Sequence, residues 1–128
     1  MKVIYLHQYF NTPRMSGGVR PYDIAKHLVD SGHMVEMITT DRSSLAGNGW
    51  KISNENGINV HWLSLFYSNK LSYFKRLLAF FSFAYHAAKK GPKLQGDVVF
   101  ATSTPLTIAI PALYISWKMS IPLVFEVR

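Results

Sequence analysis

The sequence of 128 residues predicts an α/β domain in which a mostly parallel sheet lies between helices, giving three layers. Short apolar runs alternate along the chain with longer segments of helical periodicity, which is the order of elements in such domains. The runs at 98–101 and 123–125 are apolar at every position, as expected of strands buried on both faces. The length suits one domain with its own core, spanning residues 1–128.

The first part of the chain predicts a strand, a helix and a second strand. A strand at 2–6 leads through a polar loop at 7–18 into a helix at 19–31. Gly32 ends this helix, because glycine readily takes the left-handed conformation after a helix, and a strand follows at 33–39. The two strands would be parallel, with a right-handed crossover.

The middle of the chain predicts a surface loop and a hairpin. Residues 40–49 are rich in Ser, Gly and Asn, as surface loops are. Asn56 and Gly57 lie between the alternating runs 50–53 and 58–62, and an Asn-Gly pair in that setting indicates a β-hairpin.

The last part of the chain returns to alternation of helix and strand. Gly91 and Pro92 end a long helix. The elements expected here are a helix over 71–89, a strand over 98–101, a helix over 105–119 and a final strand from Leu123. The complete pattern is Rossmann-like, and ligands of such domains bind outside the carboxyl ends of the strands.

The loop after the first strand carries candidate ligand-binding residues. Gly17 and Gly18 precede a helix N-terminus, where free N–H groups and the helix dipole favour a phosphate. Arg20 could hold the same phosphate in a bidentate contact, and His7 could donate a hydrogen bond to a sugar hydroxyl. The alternatives are a plain tight turn, a surface arginine and a structural histidine.

A second candidate position follows the strand at 98–101. Ser103 and Thr104 precede Pro105, which suits the first position of a helix, so N–H groups would face the cleft here as well. A helix cap explains Thr104 without any ligand. The sequence has neither a Gly-x-Gly-x-x-Gly fingerprint nor a P-loop, and its histidines lack metal-site spacing. We therefore expect no metal and no resident cofactor, and we assign no catalytic residue.

Charge and aromatic content suggest a membrane surface as a partner. The chain carries 14 Lys and Arg against 7 Asp and Glu, and no acidic residue occurs between Glu55 and Asp97. Aromatic residues alternate there with basic ones, a composition typical of helices that bind anionic lipid. The candidate basic residues are Lys70, Lys75, Arg76, Lys89 and Lys90. The alternative is an ordinary core helix with solvated ends.

Transmembrane insertion and nucleic-acid binding are disfavoured. Residues 98–117 are uncharged over a length that could span a bilayer, but Pro105 and Pro111 and the polar residues at 102–104 argue for a strand, a loop and a helix. No nucleic-acid recognition motif is present. The N-terminus lacks signal-peptide features, and the absence of cysteine fits a reducing compartment. We expect a cytoplasmic domain held peripherally on the inner face of the membrane.

Several short motifs together resemble one enzyme family. These are the segment at 5–10, Gly17 and Gly18 with Arg20, the turn at 31–33, the segment at 101–105 and the segment at 125–128. In combination they resemble the N-terminal domain of glycosyltransferase family 4, with enzymes of bacterial capsule, O-antigen and colanic-acid synthesis as the nearest subgroup.

The resemblance implies the N-terminal half of a GT-B fold, in which two Rossmann-like domains face a cleft. The first domain mainly holds the acceptor, here a lipid-linked saccharide, and the second holds the nucleotide-sugar donor through paired glutamates. That second domain or subunit is the missing partner, so we expect the chain to be inactive alone and truncated at its C-terminal end. Arg128 would stand at the edge of the cleft. The alternative is a non-catalytic basic module that docks on a membrane or a partner subunit.

Overall fold

A computed structural model describes residues 1–7, 20–41, 50–64, 73–102 and 108–126, and it confirms the α/β class. The strands in this part of the chain are β1 (Lys2–Leu6), β2 (Met34–Asp41), β3 (Trp50–Glu55), β4 (Ile58–Ser64), β5 (Val98–Thr102) and β6 (Leu123–Glu126). The helices are α1 (Arg20–Asp30), α2 (Tyr73–Lys90) and α3 (Ala109–Met119), and a 3-10 turn (Gly91–Leu94) follows α2.

The six strands form one sheet in the order β3-β4-β2-β1-β5-β6. Every neighbouring pair is parallel except the β3–β4 hairpin, so the expected mostly parallel, Rossmann-like sheet is confirmed. The central strand β1 is enclosed by β2 on one side and β5 on the other, and all of its residues from Val3 to Leu6 are buried. A strand covered on both faces needs apolar side chains throughout, and the residues of β1 from Val3 to Leu6 meet this requirement.

The core has two parts, one on each face of the sheet. Alternate residues of β1 separate them, because successive side chains of a strand point to opposite faces. Tyr5 packs with α1 residues such as Tyr22 and Ala25, whereas Ile4 and Leu6 pack with residues of α2 and α3 such as Phe83. We call these the α1 face and the α2–α3 face of the sheet.

Two local predictions are confirmed by backbone geometry. Asn56 and Gly57 both have positive φ, 56° and 96°, which is the conformation of a type I′ hairpin turn. Gly32 has a φ of 94° and donates its N–H to the Val29 carbonyl, while the His33 N–H bonds to the Leu28 carbonyl. This arrangement is the Schellman end that the glycine predicts for α1.

Some predicted boundaries are wrong by a few residues. β2 continues to Asp41 instead of ending at Thr39, because Thr40 and Asp41 pair with Leu63 and Ser64 of β4. β3 likewise continues to Glu55, which leaves a two-residue turn. Pairing with a neighbouring strand extends both elements beyond what local residue types suggest.

A buried polar network crosses the α2–α3 face. The carboxylate of Glu36 on β2 lies 2.7 Å from His61 Nε2 and 3.3 Å from Asn59 Nδ2, and 3.8 Å from Lys2 Nζ. Glu36 and His61 are only 7% and 5% exposed. A buried carboxylate needs such partners, because an unpaired one would be costly to desolvate.

Candidate functional site

A line of polar residues marks the carboxyl edge of the sheet. Thr39 lies near the end of β2, His7 directly follows β1, and Thr102 and Glu126 are the last residues of β5 and β6. These four strands are neighbours in the order β2-β1-β5-β6. We refer to Thr39, His7, Thr102 and Glu126 as the carboxyl-edge row.

All four side chains belong to the α1 face. The His7 ring lies 6.4 Å from that of Tyr5, centroid to centroid, and the Tyr5 ring lies 4.8 Å from that of Phe100. Thr102 is two residues beyond Phe100 on the same strand and therefore shares its face. Glu126 is the register partner of Thr102 across the β5–β6 pair. The row is thus a continuous polar strip along one edge of an otherwise apolar face.

Burial along the row decreases toward β6. Thr39 and Thr102 are fully buried and His7 is 5% exposed, whereas the Glu126 side chain is 25% exposed. The Thr102 hydroxyl has no hydrogen-bond partner among the described residues. Leaving a buried hydroxyl unpaired costs about 1–3 kcal/mol. Such a group at the ligand-binding edge of a parallel sheet is suited to accept a hydrogen bond from a ligand or to donate one.

Arg20 lies at the same edge of the sheet. It is the first residue of α1, and its Nη2 donates to Glu126 Oε2 over 2.9 Å. This contact joins the start of α1 to the end of β6 across 106 positions of sequence. The Arg20 side chain remains 55% exposed, so solvent screening leaves the pair worth about 0–1 kcal/mol. An anionic ligand with better geometry could therefore take the place of Glu126 on the guanidinium.

His7 is held in place by the backbone. Its N–H donates to the Ile38 carbonyl of β2 over 3.2 Å, which extends the β1–β2 pairing by one residue. The side chain is consequently positioned at the edge of the sheet on a rigid strand end. The backbone bond is compatible both with a binding role of the His7 side chain and with the structural role given as its alternative.

The remaining predicted site residues fall in other places. Lys75 and Arg76 lie within α2, and Lys89 and Lys90 are its last two residues. The Lys89 ammonium lies 4.9 Å from the centre of the Tyr85 ring, and the Lys90 ammonium lies 5.2 Å from that of Trp50. The predicted residues outside the described part of the chain are Gly17, Gly18, Lys70, Ser103, Thr104 and Arg128.

Sequence reasoning missed three members of the row. Thr39, Thr102 and Glu126 were not singled out, although the last two lie within the family-like segments. The sequence did contain a signal for Thr102. Side chains two residues apart on a strand point to the same face, so Thr102 shares the face of Phe100. Nothing local could reveal the contact between Glu126 and Arg20, because it depends on strand order.

The described part of the chain contains neither a candidate metal cluster nor a candidate membrane-spanning helix. Over the described residues, no group of three or more His, Asp or Glu side chains could hold a metal ion. In the same part of the chain, no helix is long and apolar enough to cross a membrane.

No model of a known protein family matches the sequence, and no curated protein does so either. Solved structures are similar to it. The catalytic domain of starch synthase IV from Arabidopsis thaliana, bound to ADP and acarbose, matches with a TM-score of 0.72 and 17% identity over 98% of this chain and 33% of that chain. This chain thus spans about a third of that catalytic domain.

Two crystal structures of the C-terminal domain of a hydrogenase from Pyrococcus furiosus are also similar. Their TM-scores are 0.66 and 0.67, with 15% and 13% identity, and each match covers 98% of this chain and 90% of the other. At such identities the similarity concerns the fold alone. The chain therefore has a Rossmann-like α/β fold of the kind found in a glycosyltransferase catalytic domain, and a hydrogenase domain shares that fold.

Proposed function

We propose that this chain is the acceptor-binding half of a glycosyltransferase. In this proposal the complete enzyme transfers a sugar from a nucleotide-sugar donor to a lipid-linked saccharide, in the synthesis of a surface polysaccharide. The observation that carries the proposal is the carboxyl-edge row, in which the Thr102 hydroxyl has no hydrogen-bond partner among the described residues and lies at the edge where ligands of Rossmann-like domains bind. The similarity in fold to a starch synthase catalytic domain supports it.

The residue types of the row suit a saccharide. Hydroxyls of a sugar both donate and accept hydrogen bonds, and Thr, His and Glu offer both functions on rigid strand ends. Tyr5 and Phe100 lie beneath this strip and provide apolar support for it. The row would orient one acceptor hydroxyl toward the donor, and orientation alone lowers a bimolecular barrier substantially.

The proposed chemistry places negative charge near Arg20. The acceptor oxygen forms a bond to the anomeric carbon of the donor while the bond to the nucleoside diphosphate breaks, and the acceptor proton passes to a base. The departing diphosphate requires cationic or N–H donors. Arg20 at the start of α1 would supply one, and Gly17 and Gly18 would supply backbone N–H groups. We expect the base, the paired glutamates and most donor contacts to belong to a second domain or subunit.

The net charge of the chain bears on its location and its acceptor. The excess of 7 positive charges fits an anionic environment, and a lipid-linked acceptor would be found at the inner face of the cytoplasmic membrane. We propose that the domain acts there as a peripheral protein, without a metal ion and without nucleic acid as a partner.

Saturation-transfer NMR tests the proposal directly. The probes are a neutral oligosaccharide, cellotetraose, and a donor, UDP-glucose. We expect the chain to give a saturation-transfer signal with the oligosaccharide and a much weaker one with UDP-glucose, since the donor half of the cleft belongs to the missing partner. Thr102→Val should remove the oligosaccharide signal. Ser116→Ala is the matched control, because its hydroxyl donates to Ile121 near the start of β6, at the other edge of the sheet.

The second candidate is a non-catalytic module that docks on a membrane or a partner subunit. The similarity to a hydrogenase domain over 90% of that domain favours it, because the same fold occurs there as a nearly complete unit. It predicts no saturation transfer from either probe and unchanged vesicle binding in Thr102→Val. Oligosaccharide binding that depends on Thr102 would contradict this alternative.

A further inference from the structure

An exposed apolar stripe runs along α2. Phe74, Leu78, Phe81 and Tyr85 are 68%, 53%, 51% and 58% exposed. Their spacing of four, three and four residues places them on one side of the helix. The opposite side of α2, with Phe83 and Ala87, is fully buried against the sheet. Two sides of α2 are therefore apolar. One side is buried in the core, and the other is exposed.

α3 presents a second apolar stripe beside the first. Ile110, Leu113, Tyr114 and Trp117 are 53%, 60%, 41% and 76% exposed. The Tyr114 and Trp117 rings lie 6.3 Å apart, centroid to centroid. The inner side of α3 is buried at Pro111, Ala112 and Ile115. A helix that is apolar all round is normally covered on all sides.

The two stripes meet in a groove between the helices. It encloses about 440 Å³ and is lined by Phe81, Ala84, Tyr85, Ala88, Lys89, Ile110 and Tyr114. We call this groove together with both stripes the α2–α3 apolar surface. Large contiguous apolar surfaces on soluble domains usually mark an interaction site.

The charged side chains of α2 and α3 are all positive. Lys89 lines the groove, Lys118 follows Trp117, and no acidic residue occurs at 56–96 or at 98–125. Hydrogen bonding to Tyr85 raises the pKa of Lys89 above its ordinary value. Aromatic side chains with lysines at their border fit the boundary of an anionic bilayer, where rings enter the headgroup region and ammonium groups face lipid phosphates.

We propose that the α2–α3 apolar surface docks on an anionic lipid bilayer, with Trp117 and Phe81 inserted among the headgroups. α3 thus supplies half of the docking surface, in addition to the basic helix that the sequence suggests. The inference rests on the membrane location proposed above, but it is independent of sugar transfer. It also gives the domain an orientation, because the docking surface and the carboxyl-edge row use different faces of the sheet.

Vesicle co-sedimentation tests the docking surface. The vesicles are pure phosphatidylcholine, or equal parts of phosphatidylcholine and phosphatidylglycerol. We expect the chain to bind the mixed vesicles at least about tenfold more tightly than the neutral ones. The double variant Phe81→Ser, Trp117→Ser should lose at least about tenfold of that binding, since two large apolar side chains no longer leave water.

The matched control is Val124→Ser. Val124 is 49% exposed and lies opposite Phe100, on the α1 face, so its loss should leave vesicle binding unchanged. Circular dichroism shows whether each variant is folded, which we expect because all three side chains are exposed. Quenching of tryptophan fluorescence by brominated phosphatidylglycerol measures the insertion of Trp117 into the bilayer. Trp117→Phe should remove most of this quenching.

Three results would overturn the inference. They are equal binding to both kinds of vesicle, unchanged binding of the double variant, and a concentration-dependent dimer in analytical ultracentrifugation that the double variant abolishes. The last result would identify the surface as an interface between copies of the chain. The oligosaccharide signal of the double variant, measured by the same NMR experiment, separates a failure of docking from a failure of the proposed function.

Discussion

Thr102 illustrates how a single hydroxyl connects stability with binding. Its Oγ1 is buried without a partner among the described residues, and it lies at the carboxyl edge beside Glu126. A buried hydroxyl without a partner lowers stability, so Thr102 is a position where a ligand or a water molecule would restore a hydrogen bond. The same hydroxyl is a candidate contact for an acceptor saccharide.

We expect Thr102→Val to stabilise the free protein while it abolishes oligosaccharide binding. Valine has nearly the same shape and removes the unpaired hydroxyl, so the free energy of unfolding should rise by about 1 kcal/mol, or roughly 4 °C in Tm. Thermal unfolding followed by circular dichroism measures the change. A lower Tm for the valine variant would mean that the hydroxyl has a structural role.

Glu126 occupies the Arg20 guanidinium that an anionic ligand would contact in the proposed function. We expect Glu126→Gln to strengthen the binding of inorganic pyrophosphate severalfold, because the guanidinium loses its carboxylate partner. The free energy of unfolding should change by less than about 1 kcal/mol, as for other exposed pairs. Isothermal titration calorimetry measures the affinity. Arg20→Gln should remove the added affinity, and an unchanged affinity in Glu126→Gln would show that Arg20 does not hold phosphate.

The Glu36–His61 pair should matter much more for stability than surface pairs do. We expect His61→Leu to cost about 3 kcal/mol, because it leaves a buried carboxylate with weaker partners. Replacing both residues by leucine should restore part of the loss. The exposed Lys26–Asp30 pair on α1 is the control, and Lys26→Ala should cost at most about 0.5 kcal/mol. Equal effects in urea unfolding would contradict this distinction.

At the scale of elements, the hairpin turn is fixed to α1 at two points. Asn56 Nδ2 donates to the Tyr22 hydroxyl over 2.6 Å, and Gly57 lies against Val29. The turn therefore does more than reverse the chain, since it positions the β3–β4 edge of the sheet relative to the helix that begins with Arg20.

Two glycine substitutions separate backbone strain from crowding. Both Gly32 and Gly57 have positive φ, so alanine should cost about 1 kcal/mol at either position. At Gly57 a Cβ would also lie 2.7 Å from Val29 Cγ1, whereas open space surrounds the same position at Gly32. We expect Gly57→Ala to lower the free energy of unfolding by about 1 kcal/mol more than Gly32→Ala does. Chemical unfolding measures the free energy of unfolding of both variants. Equal losses of stability would show that the Val29 side chain can move aside without cost.

At the scale of the whole molecule, the carboxyl-edge row and the exposed aromatic stripes lie on opposite sides of the sheet. The carboxyl-edge row belongs to the α1 face, whereas the exposed aromatic stripes lie outside α2 and α3 on the opposite side of the sheet. A domain docked through the aromatic side would keep the α1 face, to which the row belongs, away from the docking surface. One sheet could in this way connect a membrane-facing surface with a ligand-binding edge.

Salt should weaken membrane docking without abolishing it. Raising potassium chloride from about 0.1 M to about 0.5 M screens the lysines but leaves the insertion of apolar side chains intact. We expect binding to the mixed vesicles to fall severalfold and to remain measurable by co-sedimentation. Complete loss would indicate docking by charge alone, and no change would indicate docking without the lysines.

The sequence by itself determined the features that local chemistry controls. Period-two and helical patterns gave the α/β class, Asn56 and Gly57 gave the hairpin, and Gly32 gave the end of α1. Each depends on the conformational preferences of a few adjacent residues. The order of elements also brings Arg20 to the carboxyl edge, because a helix that follows a strand of a parallel sheet begins there.

Only the tertiary structure decided which distant residues meet and which apolar sides stay uncovered. Strand order brings β6 next to β5 and so sets Glu126 opposite Thr102 and within reach of Arg20. In α3 the apolar residues surround the helix, and no periodicity shows that Ile115 is buried while Trp117 is exposed. Burial is a property of packing between elements, so a local pattern cannot supply it.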